Sequence, residues 1–241
     1  GYHRGGGGVS GGTIESAFTM KNYKTNYSIG HPFLLNSKDF IEKQNKEASK
    51  DTFKIKYIDS IKSWSAPFVM SIANTRVVRR SVELHELNQS GYGSDFAYKE
   101  FMNVKKYSSA LMVSIGLAIL GLMIVSPISS LFRKLFTKPG NGPDKKTRDN
   151  GWFESIFIGK NTNNEFYKLR IYGDGDPGYK TTAKFICESA LCLVKSDGYL
   201  ENTNKGGVLT TATGLGDHLI KRLKNADILF EGPEKIAKTI T

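Results

Sequence analysis

The pattern of apolar and polar positions is dominated by one long apolar stretch in the middle of the chain. Residues 107–132 contain no charged side chain, and residues 110–125 are apolar except for Ser114 and two glycines. A helix rises about 1.5 Å per residue, so about 20 such residues can cross a bilayer. The pattern predicts a membrane-associated helix, with a buried core helix as the alternative. Its predicted lipid-facing side chains are Leu111, Ile115, Leu117, Leu120, Leu122 and Ile124.

Strand patterns lie on both sides of this stretch, at residues 94–103, 152–158 and 166–172. If these strands share a sheet, the apolar stretch must enter and leave the membrane on the same face. Ser126-Pro127 can end the helix, because proline lacks a backbone donor and clashes with the preceding turn. We therefore expect a re-entrant or interface-lying element. For a true crossing, the basic excess after Phe132 would place the C-terminal side in the cytosol or its equivalent.

Helical spacing of apolar residues indicates further helices, and polar runs indicate loops. The predicted helices span residues 13–23, with Thr13 as the cap, 71–87, 179–194 and about 215–223, and a short strand follows at 228–230. Residues 36–50 are predicted to form an exposed loop or a solvated helix, and 137–151 a flexible linker. The expected fold class is α/β, a mixed sheet with helices and one inserted apolar helix. The expected divisions are 1–106 and 152–241 as two parts of one α/β domain, 107–136 as the membrane segment and 137–151 as the linker.

The charge balance points to an anionic partner. The 34 Lys and Arg residues exceed the 23 Asp and Glu residues and give a net charge of +11, which suits an acidic lipid surface or a nucleic acid. The aromatic residues are not interleaved with basic ones, so we expect no nucleic-acid partner. Two cysteines and four dispersed histidines offer no disulfide framework and predict no metal site. Without an initiator Met or a secretory segment, the 241 residues are expected to be a fragment or a processed product.

Two motifs could bind an anion, a third is superficially similar to a calcium or dinucleotide loop, and each also has a structural interpretation. The glycine run from Arg4 to Thr13 precedes a helix and could hold a phosphate or carboxylate, but it lacks the Lys and Ser or Thr of a Walker motif. Its composition favours a flexible loop. Gly173–Gly178 is typical of a tight turn from strand to helix. Arg76, Arg79 and Arg80 could form an anion clamp or be ordinary surface charge.

Six separated motifs occur in the order seen in one family. They are Arg4-GGGGVSGGTIES-Ala17, Ser65–Met70, Val77–Ser81, Gly173–Tyr179, Cys187–Leu193 and Gly206–Ile220. The chain resembles the C-terminal part of saccharopine dehydrogenase-like oxidoreductases, the group that includes the mycobacterial trans-acting enoyl reductases. The resemblance implies an NAD(P)-binding Rossmann domain followed by an α/β domain that closes over the cleft. It also implies a membrane location, on lipid droplets or the endoplasmic reticulum, with a mitochondrial membrane as the alternative.

The resemblance also suggests which residues face the cleft, although no residue receives a catalytic role. The cleft-lining candidates are Arg4, Gly7, Gly8, Ser10, Gly11, Gly12, Thr13, Ser16, Arg79 and Arg80. The 241 residues contain no dinucleotide-binding strand–helix unit, so NAD(P) is expected only if a Rossmann half is supplied separately.

Two functions fit these observations. One is the substrate-side domain of a membrane-associated NAD(P)-dependent oxidoreductase, acting on a lipid or another hydrophobic substrate. The alternative is a non-enzymatic scaffold subunit of a membrane complex. The expected partners are membrane lipid and either a Rossmann-domain chain or other subunits of such a complex.

Overall fold

A computed structural model describes residues 1–7, 11–20, 30–88, 91–93, 95–129, 131, 140, 142–195 and 207–237 of the 241-residue chain. The strands are β1 Tyr2–Gly6, β2 Lys56–Ile58, β3 Ser63–Pro67, β4 Phe101–Val104, β5 Trp152–Lys160, β6 Phe166–Asp174 and β7 Leu229–Ile236. The α-helices are α1 Gly11–Met20, α2 Lys38–Lys43, α3 Ser71–Leu87, α4 Tyr107–Val125, α5 Lys145–Asp149, α6 Lys180–Lys195 and α7 Thr211–Asn225. One 3₁₀ turn, Asp59–Ile61, joins β2 to β3.

The seven strands form one mixed sheet in the order β2-β3-β4-β1-β5-β6-β7. Strand β1 pairs in parallel with β4 and antiparallel with β5, so it joins the two halves of the sheet. Strand β4 immediately precedes the apolar helix α4, and β5 is the first strand after it. The predicted α/β class is therefore confirmed, and the strands on both sides of the apolar stretch share one sheet, as expected.

The register assigns side chains to the two faces of the sheet, because paired residues on neighbouring strands point to the same side. His3, Trp64 and Phe153 share one face. On that face, the ring of Phe185 in α6 lies 5.7 Å from the ring of Phe153. Tyr107 in α4 similarly lies 5.0 Å from Trp64. The first turns of α4 and helix α6 therefore pack on the two halves of the same face.

Helix α3 builds a small second core with the chain segment 30–51. Val82 of α3 packs with Phe33 and Phe40, and all three side chains are at most 5% exposed. Helix α2 begins at a proper cap, since the Ser37 side chain accepts a hydrogen bond from the Phe40 amide. The predicted helix at 71–87 is confirmed at both ends.

Several predicted elements need correction. The glycine run is not simply a loop: Tyr2–Gly6 is a strand and Gly11–Met20 a helix, so Thr13 lies inside the first turn and not at the cap. The strand expected from residue 94 begins only at Phe101. The polar linker contains the short helix α5, which the Asp144 side chain caps. Strands β2 and β3 were not predicted, because each is too short to show alternation.

Candidate functional site

The end of β1 packs closely against the turn that begins α6. A Cβ atom on Gly7 would lie 2.6 Å from Cβ of Asp176, and one on Gly151 would lie 2.5 Å from the Asp176 amide nitrogen. Asp176 is fully buried and accepts hydrogen bonds from the amides of Tyr179 and Lys180 at the start of α6. The tight turn predicted for Gly173–Gly178 is thus confirmed. Gly7 and Gly151 therefore allow close packing against the Asp176 turn of the same chain.

Arg4 belongs to a charged ladder on the sheet face opposite α4 and α6. Its Nε donates to Glu154, whose other oxygen accepts from Arg170 Nε at 2.6 Å. Arg170 also donates to Glu231 at 2.9 Å. Burial opposes ionisation of Glu154, but the hydrogen bonds from Arg4 and Arg170 outweigh it and hold the pKa of Glu154 below its usual value. One buried carboxylate therefore fixes both guanidinium groups.

The Arg4 side chain remains 36% exposed beside this carboxylate. Its guanidinium carbon lies 5.6 Å from the centre of the Trp152 ring, so the arginine is held by charge on one side and by an aromatic ring on the other. The exposed part of the guanidinium could contact an anionic group.

The other glycine-run candidates lie on α1 or outside the described residues. Gly12, Thr13 and Ser16 are exposed on α1, and Gly11 is its first residue. Gly8 and Ser10 lie outside the described residues. The proposed cleft-lining role of this set stays a prediction.

The arginines of α3 have separate partners within the chain. Arg79 is 4% exposed and donates to the carbonyl oxygens of Pro32 at 2.6 Å and Ser49 at 2.7 Å. Burial and the nearby Arg76 lower the pKa of Arg79 to about 10, against the opposing effect of Asp51. Arg76 forms an ion pair with Asp51 at 2.7 Å. The same nitrogen, Nη2, also donates to the carbonyl oxygen of Gly30 at 2.8 Å.

Arg80 forms an ion pair with a different residue, Glu83, at 2.8 Å. The same carboxylate accepts from Asn36 and from the Ser37 amide. The structure thus brings Arg79 and Arg80 to the segment 30–51. In the part of the chain that the structure describes, no hydrogen bond or ion pair joins them to Arg4. Their predicted place at a cleft stays a prediction.

A buried polar cluster beside β1 was missed by the sequence analysis. Glu100 accepts hydrogen bonds from the Tyr98 hydroxyl at 2.8 Å and from the Asn74 amide at 2.9 Å. Nε2 of His3 lies 3.7 Å from the same carboxylate, and Nδ1 of His3 lies 2.9 Å from the Ser155 hydroxyl. No sequence signal could have identified this cluster, because its members are separated by up to 152 positions.

Burial dominates the ionisation of the cluster. It raises the pKa of Glu100, although hydrogen bonds from Tyr98 and Asn74 act in the opposite direction. Burial and the neighbouring Glu100 also raise the pKa of Tyr98. Burial and the nearby amino terminus lower the pKa of His3 to about 4. The cluster therefore holds His3 neutral at neutral pH and disfavours charge on Glu100.

Metal binding has no geometric support within the described ranges. No group of three His, Cys, Asp or Glu side chains there could hold an ion. Cys187 is exposed and Cys192 is buried, and no disulfide joins them.

Among the described helices, one is long and apolar enough to span a membrane, and it is α4. It has 19 residues, and only 6% of its most apolar window is buried. Its first turns pack on β3 and β4, and Ala110 is fully buried there. The helix ends at Val125, before Ser126-Pro127, as predicted. Ile115 and Leu122, two of the predicted lipid-facing residues, are 51% and 68% exposed.

These features define an α/β domain with one mixed sheet, a charged open sheet face and an exposed apolar helix. The chain is homologous to mycobacterial proteins named trans-acting enoyl reductases. It is 30% identical over 249 residues to Rv2449c of Mycobacterium tuberculosis strain H37Rv, which carries that name provisionally; the match covers 93% of this chain. A trans-acting enoyl reductase of Mycobacterium bovis BCG is 31% identical over 69% of this chain and 40% of its own length.

A trans-acting enoyl reductase of Mycobacterium ulcerans is 30% identical over the same shares of the two chains. The chain spans about half, 56%, of the length of the Rv2449c relative. No family model and no solved structure matches the chain.

Proposed function

We propose that this chain is the substrate-side domain of a membrane-associated, NAD(P)-dependent oxidoreductase of the saccharopine dehydrogenase-like kind. The observation that carries the proposal is the homology, over 93% of the chain, to proteins named trans-acting enoyl reductases. That name supports a reductase-type function. An activated carbon–carbon double bond in a lipid or another hydrophobic molecule is the matching substrate class.

Helix α4 supports the membrane location. A helix with so little buried surface leaves a large apolar area in water, which is unfavourable by about 25 cal/mol for each Å². Because α4 is seated on β3 and β4, insertion in a lipid droplet, endoplasmic reticulum or mitochondrial membrane would hold the sheet beside the lipid. A hydrophobic substrate is concentrated at the same place.

We infer that the described residues do not hold a dinucleotide on their own. The space next to Gly7 is filled by Asp176 of the same chain, and Arg4 is paired with Glu154. We therefore propose that NAD(P) is held by a Rossmann half outside these 241 residues, or on a separate chain. The exposed part of Arg4 and the start of α1 would face the cleft between the two halves.

The proposal is tested with the protein purified from its native membrane, together with whatever chains remain bound. NADPH oxidation should depend on an added 2-enoyl lipid, and the saturated lipid of the same length is the control. Residues 1–241 alone should show no heat of NADPH binding by calorimetry. Binding to 1–241 alone would contradict the division of the site, and absence of lipid-dependent oxidation would favour the scaffold alternative.

A further inference from the structure

The sheet edge where α4 begins carries three aromatic rings in a row. The ring of Trp64 on β3 lies 5.3 Å from Tyr57 on β2 and 5.0 Å from Tyr107 in the first turn of α4. The register puts Tyr57 opposite Trp64 and Trp64 opposite Val104, so the row continues directly into the apolar helix. Trp and Tyr side chains combine an apolar ring with a polar tip, which suits the boundary between hydrocarbon and water.

Exposed lysines lie at the same sheet edge as these rings, although Lys56, which is paired with Ser65, points to the opposite face from Tyr57 and Trp64. They are Lys56 on β2, Lys62 at the start of β3, and Lys105 and Lys106 between β4 and α4. Among the described residues, none of these lysines forms an ion pair. The Ser63 hydroxyl donates to the Val104 carbonyl oxygen at 3.0 Å, which links the Lys62 turn to the end of β4, just before Lys105 and Lys106. The segments 54–66 and 101–107 contain one acidic residue, Asp59.

We name this edge the basal collar: Tyr57, Trp64 and Tyr107 with Lys56, Lys62, Lys105 and Lys106. We propose that the basal collar lies in the headgroup layer of a membrane that contains anionic lipid. The domain would then rest on the bilayer by its sheet edge as well as by α4. This inference rests on the membrane association in the proposed function, and adds the lipid class and the part of the fold in contact.

The surface of α4 favours lipid over a protein partner. A helix that docks in a protein groove has one apolar stripe and a polar face towards water. Helix α4 has no charged residue on any face, and its exposed apolar side chains include Leu111, Ile115, Leu122 and Val125. The four unpaired lysines at its base complement an anionic headgroup layer.

The depth of Trp64 gives the first test, because the chain contains two tryptophans. In the Trp152→Phe variant, Trp64 is the sole reporter. On vesicles of phosphatidylcholine with phosphatidylserine, its fluorescence should be quenched by headgroup-labelled lipid more strongly than by lipid labelled at the end of the acyl chain. In the matched Trp64→Phe variant, Trp152 on the opposite sheet face should show no quenching. Equal quenching of the two tryptophans, or none of Trp64, overturns the proposal.

The lysines give the second test, by vesicle flotation with and without phosphatidylserine. The variant Lys56→Gln, Lys62→Gln, Lys105→Gln, Lys106→Gln should bind phosphatidylserine-containing vesicles at least roughly tenfold more weakly, since each lysine near an anionic surface contributes several-fold. Its binding to pure phosphatidylcholine vesicles, which depends on α4, should not change. The control variant removes four exposed lysines elsewhere: Lys43→Gln, Lys46→Gln, Lys195→Gln and Lys221→Gln.

The outcomes separate this inference from the proposed function. If the unaltered protein floats with neither kind of vesicle, the membrane association itself is wrong. If it floats with both, and the two lysine variants respond alike, the basal collar does not recognise headgroups. Circular dichroism should show the same fold for both variants, because the substituted side chains are all exposed.

Discussion

At the end of β1, one glycine decides how closely the strand can approach the α6 turn. A Cβ on Gly7 would lie 2.6 Å from Cβ of Asp176, which is closer than such atoms pack, and 3.1 Å from Cδ of Pro177, which is a tight contact. Gly159 on β5, by contrast, has no atom within 4 Å of the same position. Gly7 is therefore needed for close packing and Gly159 is not, although the sequence alone does not distinguish them.

We predict that Gly7→Ala lowers the free energy of unfolding by about 2 kcal/mol, because the added methyl group forces the strand and turn apart. Gly159→Ala should leave it within about 0.5 kcal/mol, since a strand alanine meets open space there. Urea unfolding of both variants checks this. Equal stability of the two would mean that the turn moves freely and is not packed against β1.

The buried Glu100 gives a prediction about pH. Its folded pKa is raised above the usual 4.5, so the folded state holds its proton over a pH range in which the unfolded state has lost it. Its contribution to stability is therefore full below 4.5 and is lost as pH rises through the folded pKa. Glu100→Gln removes this dependence. The stability of the variant relative to the unaltered protein should increase as pH rises above 4.5.

Urea unfolding at a series of pH values measures that difference. Taking the difference removes most of the effect of His3, which is present in both proteins and whose lowered pKa acts in the opposite sense, reducing stability as pH falls below 6.5. Glu42→Gln is the control, because Glu42 is exposed on α2. A difference that stays constant with pH would show that Glu100 ionises in the fold as it does in water.

At the level of elements, helix α3 acts as a support for the segment 30–51. Two arginines one turn apart, Arg76 and Arg79, reach that segment at both of its ends, through Gly30, Pro32, Ser49 and Asp51. Small apolar contacts from Phe33 and Phe40 fill the space between. A segment with so short a helix of its own is ordered by these contacts, because isolated helices of its length are unstable in water.

We predict that Arg79→Lys destabilises the protein by about 3 kcal/mol, since one ammonium group cannot reach both carbonyl oxygens and leaves buried acceptors unpaired. Arg80→Lys should cost less than about 1 kcal/mol, because lysine can keep the partly exposed pair with Glu83. Urea unfolding and limited proteolysis within 30–51 measure both effects. If Arg79→Lys instead keeps its stability and loses activity, Arg79 contacts a ligand.

At the scale of the whole molecule, the topology of the sheet constrains how the chain meets a membrane. Strands β4 and β5 flank the apolar helix, and both pair with β1. Hydrogen-bonded strands of one sheet cannot lie on opposite sides of a bilayer. On the proposed membrane association, α4 therefore lies in the interface, or the chain after α4 returns to the same side.

We predict that epitope tags inserted at Asn45 and attached after Thr241 lie in the same compartment. In sealed membranes, protease should remove both tags or neither. A cytosolic protein and a lumenal protein serve as controls for membrane integrity. Protection of one tag alone would mean that the chain crosses the bilayer and that the sheet joining β1, β4 and β5 does not form in the cell.

The sequence alone determined the long-period features of this protein. The helices α3, α6 and α7 and the strands β5 and β6 follow from hydrophobic periodicity, which is a local property of nine or more successive residues, and α4 follows from an uninterrupted apolar run. Together these elements indicate the α/β class. Pro127 predicted where α4 ends, and the charged residues on both sides marked the limits of the apolar stretch. The predicted same-sheet relation of the flanking strands also held.

Only the tertiary structure decided what depends on distant pairing. The start of the glycine run forms a strand because it pairs with β4 on one side and β5 on the other. A short glycine-rich segment has no residue pattern that predicts this pairing. The ladder of Arg4 with Glu154, the His3–Glu100 cluster and the row of rings at the base of α4 join residues far apart in the chain. Their positions depend on strand order and register, because pairing sets which side chains share a face.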